Sequence, residues 1–450
     1  MSNIVSTLKS TWTQGKFTWL FLLMIIFTVG LTLAFVGCGE DDDTEPDLIA
    51  EETIFVDGRE VVILQGKLTE DRTLSSDSDY LLRGAVFVED GATLTVEPGV
   101  TIYGEQAQNG TLIVAQGGKI MAEGTVDAPI VMTSDAEIGQ RARGQWGGLI
   151  INGRAPTNQG VTAGEGDTGD FGGNNPADNS GVLRYVRVEY AGIEFSPDNE
   201  LNGIALQGVG SGTVIEYVQV HMNQDDGIEM FGGTVNLKYV LVTGARDDSF
   251  DWTDGWTGKG QFWIAQQYGD DADNGFENDN SSKNNEAIPR SAPTIFNVTL
   301  VGDPTEGEKS DNGMLIREGA AGIYANFIVT GFKKVGLDIN TPSSHKQAND
   351  GKLVVKNSIF FSNGKGNFGD EKDDDGFDEA AWAKGLGNVE TDPNLSDPFN
   401  KDNPNFTPGT GTASVTPAKP TDAFFDQVTF IGGVDPANDW TKGWTTSARN

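Results

Sequence analysis

From Phe55 onward this chain is filled by short stretches in which apolar and polar residues alternate, each closed by Gly, Pro, Asn or Asp. Thr93-Leu94-Thr95-Val96, Thr111-Leu112-Ile113-Val114, Pro129-Ile130-Val131-Met132 and Gly148-Leu149-Ile150-Ile151-Asn152-Gly153 are of this kind. Alternation with period two between turn-forming residues predicts strands. One strand type recurs as Leu183-Arg184-Tyr185-Val186-Arg187-Val188, Ile215-Glu216-Tyr217-Val218-Gln219-Val220 and Leu237-Lys238-Tyr239-Val240-Leu241-Val242, the last two 22 residues apart. A second, acidic type recurs as Asp225-Asp226-Gly227-Ile228-Glu229, Asp247-Asp248-Ser249-Phe250-Asp251 and Asp273-Asn274-Gly275-Phe276-Glu277, at offsets of 22 and 26. A weaker copy, Asp311-Asn312-Gly313-Met314-Leu315, follows an insertion. Two strand types at one period mean at least two sheets per coil of a solenoid, in which each repeat buries its apolar face against its neighbours.

The expected fold is all-β, a right-handed parallel β-helix with a C-terminal capping segment. Side chains alternate along a strand, so Ile228, Phe250, Phe276 and Met314 should point inward with Met230, Trp252 and Ile316, while Glu229, Asp251 and Glu277 point outward. The solenoid should run over 55–365, with a Gly-, Asn- and Asp-rich loop leaving it at about 154–180 and smaller excursions at 303–311 and 341–351. Residues 366–450 read as an acidic loop and a cap, in which Phe424, Phe425, Trp440 and Trp444 cover an open end of the stack.

The first 37 residues change this picture, because they have the composition of a signal peptide: Lys9 and Lys16, then an uncharged and mostly apolar stretch from Trp19 to Gly37. A plain signal anchor is the competing reading, since that stretch could just span a bilayer. Phe35-Val36-Gly37-Cys38 resembles a bacterial lipobox, with Phe35 where leucine is usual, and the run Glu40-Asp41-Asp42-Asp43 resembles the signal that sends Bacteroidota lipoproteins to the outer face of the outer membrane. The expectation is lipidation at Cys38, an acidic tether over 38–54, and attachment to the outer membrane. Cys38 is the only cysteine, so lipidation leaves no thiol for disulfides, metal ligation or nucleophilic catalysis. Removing the leader takes the formal charge from −35 to −37, a balance that repels phosphate backbones and excludes nucleic acid as a partner.

The stretches Gly144-Gln145-Trp146-Gly147-Gly148-Leu149, Asp178-Asn179-Ser180-Gly181-Val182-Leu183-Arg184-Tyr185-Val186, Gly208-Val209-Gly210-Ser211-Gly212-Thr213 and Phe231-Gly232-Gly233-Thr234-Val235 resemble a family of Bacteroidota β-helix surface proteins. The closing Asp439–Trp444 run is similar to that family's C-terminal end. The resemblance implies a fold similar to that of pectate lyases and brings no established activity with it.

Stacked coils lie about 4.8 Å apart, so Glu229, Asp251 and Glu277 should form one outward column beside a second of Asp225, Asp247, Asp273 and Asp311. Two unit charges at that spacing repel by about 1 kcal/mol in water and about 3.5 kcal/mol at an effective dielectric of 20. Calcium is the cofactor this predicts, since it takes about six to eight oxygen ligands in forgiving geometry; a solvated acidic surface is the alternative. Asn202, Asp226, Asp248, Asn274 and Asn312 read instead as an internal ladder serving their own turns.

Asp-Asp-Gly-Ile on a β-helix is also similar to the paired aspartates of polygalacturonases, so a polysaccharide lyase or glycoside hydrolase is the enzymatic alternative. No histidine follows on the neighbouring coil, where Ala245-Arg246-Asp247-Asp248-Ser249 stands. His221 reads as a surface residue on the other sheet and His345 as a loop residue. Arg246 and Arg317 fall near the acidic columns; Trp256 and Trp263 are candidates to stack on a sugar, and with Arg246 they make up the expected ligand-binding set. Glu371-x-Asp373-x-Asp375-Gly376 has the spacing of an EF-hand start but carries Trp382 where the closing carboxylate belongs. The leading expectation is a lipid-anchored, calcium-supported binding or structural module, with a surface polysaccharide or an outer-membrane protein complex as partner.

Overall fold

The computed structural model describes residues 53–56, 59–196, 199–369 and 376–450. Cys38, the leader and most of the tether, and Glu371, Asp373 and Asp375 lie outside the described residues. Within them the chain is a parallel β-helix. Its strands join into a single 25-stranded system in which the pairing of Thr53–Val56 with Arg59–Leu68 is antiparallel and the others are parallel.

Each coil alternates a short strand with a long one. Short strands Ile204–Gln207, Ile228–Phe231, Phe250–Thr253, Phe276–Asn278 and Met314–Ile316 stack in one sheet. Long strands Gly181–Glu189, Val214–His221, Asn236–Thr243, Lys259–Gln266, Thr294–Val301 and Gly322–Thr330 stack alongside. Each long strand bends at one residue of positive φ, at Tyr185, Tyr217, Tyr239, Phe262, Asn297 and Asn326 in turn. Asparagine tolerates that conformation better than most residues. At the aromatic positions stacking offsets its cost: the rings of Tyr185, Tyr217, Tyr239 and Phe262 follow one another at centroid distances of 4.6, 4.4 and 4.9 Å.

Ile228, Phe250, Phe276, Met314, Met230, Trp252 and Ile316 are all fully buried in one continuous core, as the alternation requires. Asn278 takes the inward position between Trp252 and Ile316, and neither its amide nitrogen nor its oxygen has a partner there.

Three regions depart from expectation. The 341–351 excursion contains helix α1 (Pro342–Asn349), and a second helix, α2 (Glu379–Gly385), buries Ala383 in the core. The 154–180 loop folds back on the stack, setting Phe171 against Phe231 over the outward Ile150 and Ala205. The tail aromatics pack, but along the flank of the solenoid and not over its end. The long strands turn Leu241, Ile264, Val301 and Ile328 outward, Ile359 of the three-residue strand Ile359–Phe361 continues the row beside Ile328, and the chain covers them with Phe406, Val415, Ile431, Val434, Trp440 and Trp444. An apolar stripe of that length has to be covered, and the tail is the segment that covers it.

Candidate functional site

The short-strand sheet sets the site. Its outward row reads Ile150, Ala205, Glu229, Asp251, Glu277 and Leu315 in register, so the carboxylates begin where the cover of Phe171 ends. The turn leading into each short strand supplies a second row, and there the ladder expectation needs correcting. Asp226 Oδ1 accepts the Asp248 N–H at 2.9 Å and Asp248 Oδ1 accepts the Asn274 N–H at 2.5 Å, so both do serve the turns. Their carboxylates nevertheless stand inside the site. Oxygens of Asp226, Glu229 and Asp251 lie within 4.8 Å of one another, and the same holds for Asp248, Asp251 and Glu277, for Asp225, Asp226 and Asp247, and for Asp247, Asp248 and Asp273. The two columns read from sequence are therefore joined by Asp226 and Asp248 into one cluster. Local turn chemistry hid this, because an Asp that caps a turn with one oxygen leaves the other free to face its neighbours.

Asparagines complete the edges. Asn202 Nδ2 donates to Glu229 Oε2 at 2.6 Å and Asn274 Nδ2 to Glu277 Oε2 at 3.2 Å. Burial, reinforced by repulsion from the neighbouring carboxylates, pushes Asp225 up to about 7 and Asp273 to about 6. Glu277 also rises to about 7, mainly through burial, even though Arg317 pulls it the other way. Asp226, Glu229, Asp248 and Asp251 are driven well above the usual carboxylate range by the same burial and crowding.

Basic groups sit at the margin. Arg317 pairs with Glu277 and, at 2.8 Å, with Asp279; Lys334 pairs with Asp311 at 2.6 Å. Arg246 is exposed and paired with Asp271, and both border a groove of about 330 Å³ that Asp225, Asp247, Asp273 and Lys309 also line. Glu165, from the 154–180 loop, is a member that the sequence did not reveal. Desolvation of its carboxyl and repulsion from Glu200 and Asp254 raise it to about 7 although the residue keeps exposed surface, and it acts in turn on Asp225 and Glu229.

The remaining candidates separate from the site. Trp256 and Trp263 lie in the core with no exposed surface, donating to the carbonyls of Val235 and Leu237, so sugar stacking on them is ruled out by position. Alternation placed Trp252 inward correctly, but Trp256 follows a tight turn and Trp263 follows the bend at Phe262, and both events reset the alternation. His221 does project from the other sheet, yet the tail buries it, with Nδ1 against Thr243 Oγ1 and Nε2 against the Ala448 carbonyl, both at 2.7 Å. His345 is buried in α1 and stacks on Phe377.

The arrangement suits a hard divalent cation. Its donors are oxygens, they come from successive coils, and Asp251 Oδ1 is buried with no donor reaching it. Calcium would be held by Asp226, Glu229 and Asp251, or by Asp248, Asp251 and Glu277, with Asp251 common to both sets.

The family model described as a pectate-lyase-like β-helix domain matches residues 66–445. No curated protein and no solved structure matches the chain. With coils, register and the matched span in agreement, this chain belongs to the pectate-lyase-like β-helix family.

Proposed function

We propose that this chain is a lipid-anchored binding module of the cell surface, a β-helix whose acidic face holds calcium and through it engages a polysaccharide. The row Glu229, Asp251 and Glu277, joined to the turn carboxylates by Asp226 and Asp248, carries this reading. As bare charge such a row repels itself; around a divalent cation it becomes a ligand set, with coordination positions left for the oxygens of a sugar chain. Membership of the β-helix family supports a carbohydrate-related role. The lipobox-like residues ending at Cys38 and the acidic run after it support anchoring at the outer membrane, facing outward. Docking on an outer-membrane protein complex is compatible with the same anchor.

The enzymatic reading, a lyase or hydrolase, draws on the same residues. Asp225 and Glu277, at about 7, would be acids able to give up a proton near neutral pH. What weighs against it is the state of the candidate bases among the described residues, of which Lys309 lines the groove near Asp247. Arg246 and Arg317 are tied to carboxylates, and an arginine is a poor base without strong perturbation. His221 is buried against the tail, and His345 is held in α1.

The test is a calcium titration by calorimetry, followed by glycan-array binding in calcium and in chelator. Calcium should bind the natural protein and not the double variant Asp251→Asn, Glu277→Gln, and glycan retention should follow calcium. Absence of both binding heat and any calcium effect on the melt removes the cation from the proposal.

A further inference from the structure

One lysine of the tail that covers the flank bonds to a loop that borders the acidic groove. Backbone groups of the tail are read by buried side-chain amides on successive coils. Gln219 exchanges two hydrogen bonds with Thr446, both 2.8 Å; Gln261 does the same with Asp426 and Asn326 with Ala418. Gln266 Nε2 donates to the Pro398 carbonyl at 2.9 Å. This docking delivers Lys401 to a nearly closed position. Its side chain is 10% exposed, its Nζ lies 2.5 Å from Asp303 Oδ2 and 2.7 Å from Glu306 Oε2, and the Tyr268 ring lies beneath it at 5.1 Å.

Asp303 is the hub of two loops. Its Oδ2 accepts the Gly269 N–H at 2.9 Å, and its Oδ1 accepts the N–H groups of Thr305 and Glu306 at 2.9 and 3.0 Å. The two loops are zipped further on, where Lys309 N–H donates to the Gly269 carbonyl, Ser310 N–H to Ala272 and Asp311 N–H to Asp273. Asp271, Asp273 and Lys309, which line the acidic groove, are carried on these same loops.

We propose that Lys401 is a positioning residue: docked with the tail, it locks Asp303 and thereby fixes the loops 267–273 and 303–311 that present Asp271, Asp273 and Lys309 to the groove. The inference rests on the proposed function only for its consequence for calcium, because the lock itself is a matter of loop order. A lysine nine-tenths shielded from water makes with Asp303, whose side chain is 2% exposed, a charge-assisted bond stronger than that of an exposed pair, while Glu306, 67% exposed, adds less. Removing it leaves Asp303 with its N–H donors, so the fold survives while the hub of the two loops loses the cation that neutralises it and ties it to the tail.

The experiment compares full-length natural protein with Lys401→Met, Lys401→Arg and Lys442→Met, the last a tail lysine 70% exposed beside Asp439. Hydrogen exchange is read at residues 267–273 and 303–311, and calcium affinity is measured on the same preparations. Lys401→Met should exchange about tenfold faster in both loops and bind calcium several-fold more weakly, Lys401→Arg should restore much of both, and Lys442→Met should change neither. Unchanged exchange in both loops of Lys401→Met overturns the lock. Faster exchange in a protein that binds no calcium at all keeps the lock and refutes the proposed function instead.

Discussion

In the absence of a divalent cation, stability should fall as the pH is raised from 5 to 8, and calcium should offset most of the fall. The perturbation acts on the acidic cluster. Asp225 and Glu277, ordinarily at 3.8 and 4.5, are pushed to about 7, and Asp273 to about 6. Between the ordinary carboxylate range and these values, the folded chain holds protons that the unfolded chain has released. The stability they contribute is complete below the ordinary range and is lost as pH rises through 6 to 7. Carrying Glu277 from 4.5 to about 7 corresponds to about 3.5 kcal/mol at about 1.4 kcal/mol per pH unit, of which about 2.8 kcal/mol falls above pH 5. One side of the cluster faces water, which cuts this to about 1–2 kcal/mol per group. The groups relieve one another, so they do not add in full, and the expected loss for the whole cluster is about 2–4 kcal/mol. Calcium at about a hundredfold its dissociation constant contributes about 2.7 kcal/mol, enough to offset most of that loss. His221 works in the opposite direction, since burial holds it neutral and it weakens the fold as pH falls through its ordinary 6.5. The assay is therefore urea unfolding of the natural protein and of Asp251→Asn, Glu277→Gln, which keeps His221, at both pH values, in chelator and in calcium. If the two proteins show the same pH dependence in chelator, the reasoning about the cluster is wrong.

Other outcomes follow from packing and from the site. Phe250→Ala, at a fully buried position stacked on Trp263, should cost about 3–5 kcal/mol in unfolding free energy, and Trp444→Ala about as much if the flank cover is as tightly packed as the core. Asn278→Leu should raise the melting temperature, because both polar atoms of Asn278 are buried without partners; a lower melt would mean that the site holds a bridging water. Pectate, alginate and polygalacturonate should yield no product with or without calcium, and turnover that Asp248→Asn eliminates in a folded protein would convert the cluster into an active site.

Much of the site was legible because a stacked repeat turns sequence offsets into spatial neighbours. Aligning the three acidic copies places Glu229, Asp251 and Glu277 side by side, and the strand register does the same. What could not be read was the surroundings of each side chain. Asp226 and Asp248 looked like turn residues and are also members of the cluster; Glu165 sits in a loop without periodicity. Trp256 and Trp263 looked available and are core residues, because the tight turn and the bend at Phe262 interrupt the alternation on which their orientation was judged.

By itself, then, the sequence determined the solenoid, its two strand types, the inward residues of the acidic repeat and the alignment of its carboxylates. All of these depend on interactions between a residue and its counterpart one coil away, which periodicity encodes directly. The tertiary structure alone decided where aperiodic segments go. It laid the tail along the flank, buried His221 beneath it, brought Lys401 to Asp303 and set Glu165 beside the acidic face. These contacts join residues up to hundreds of positions apart, and they are selected by which apolar stripe needs covering and which buried charge needs a partner, conditions that exist only once the coils have stacked.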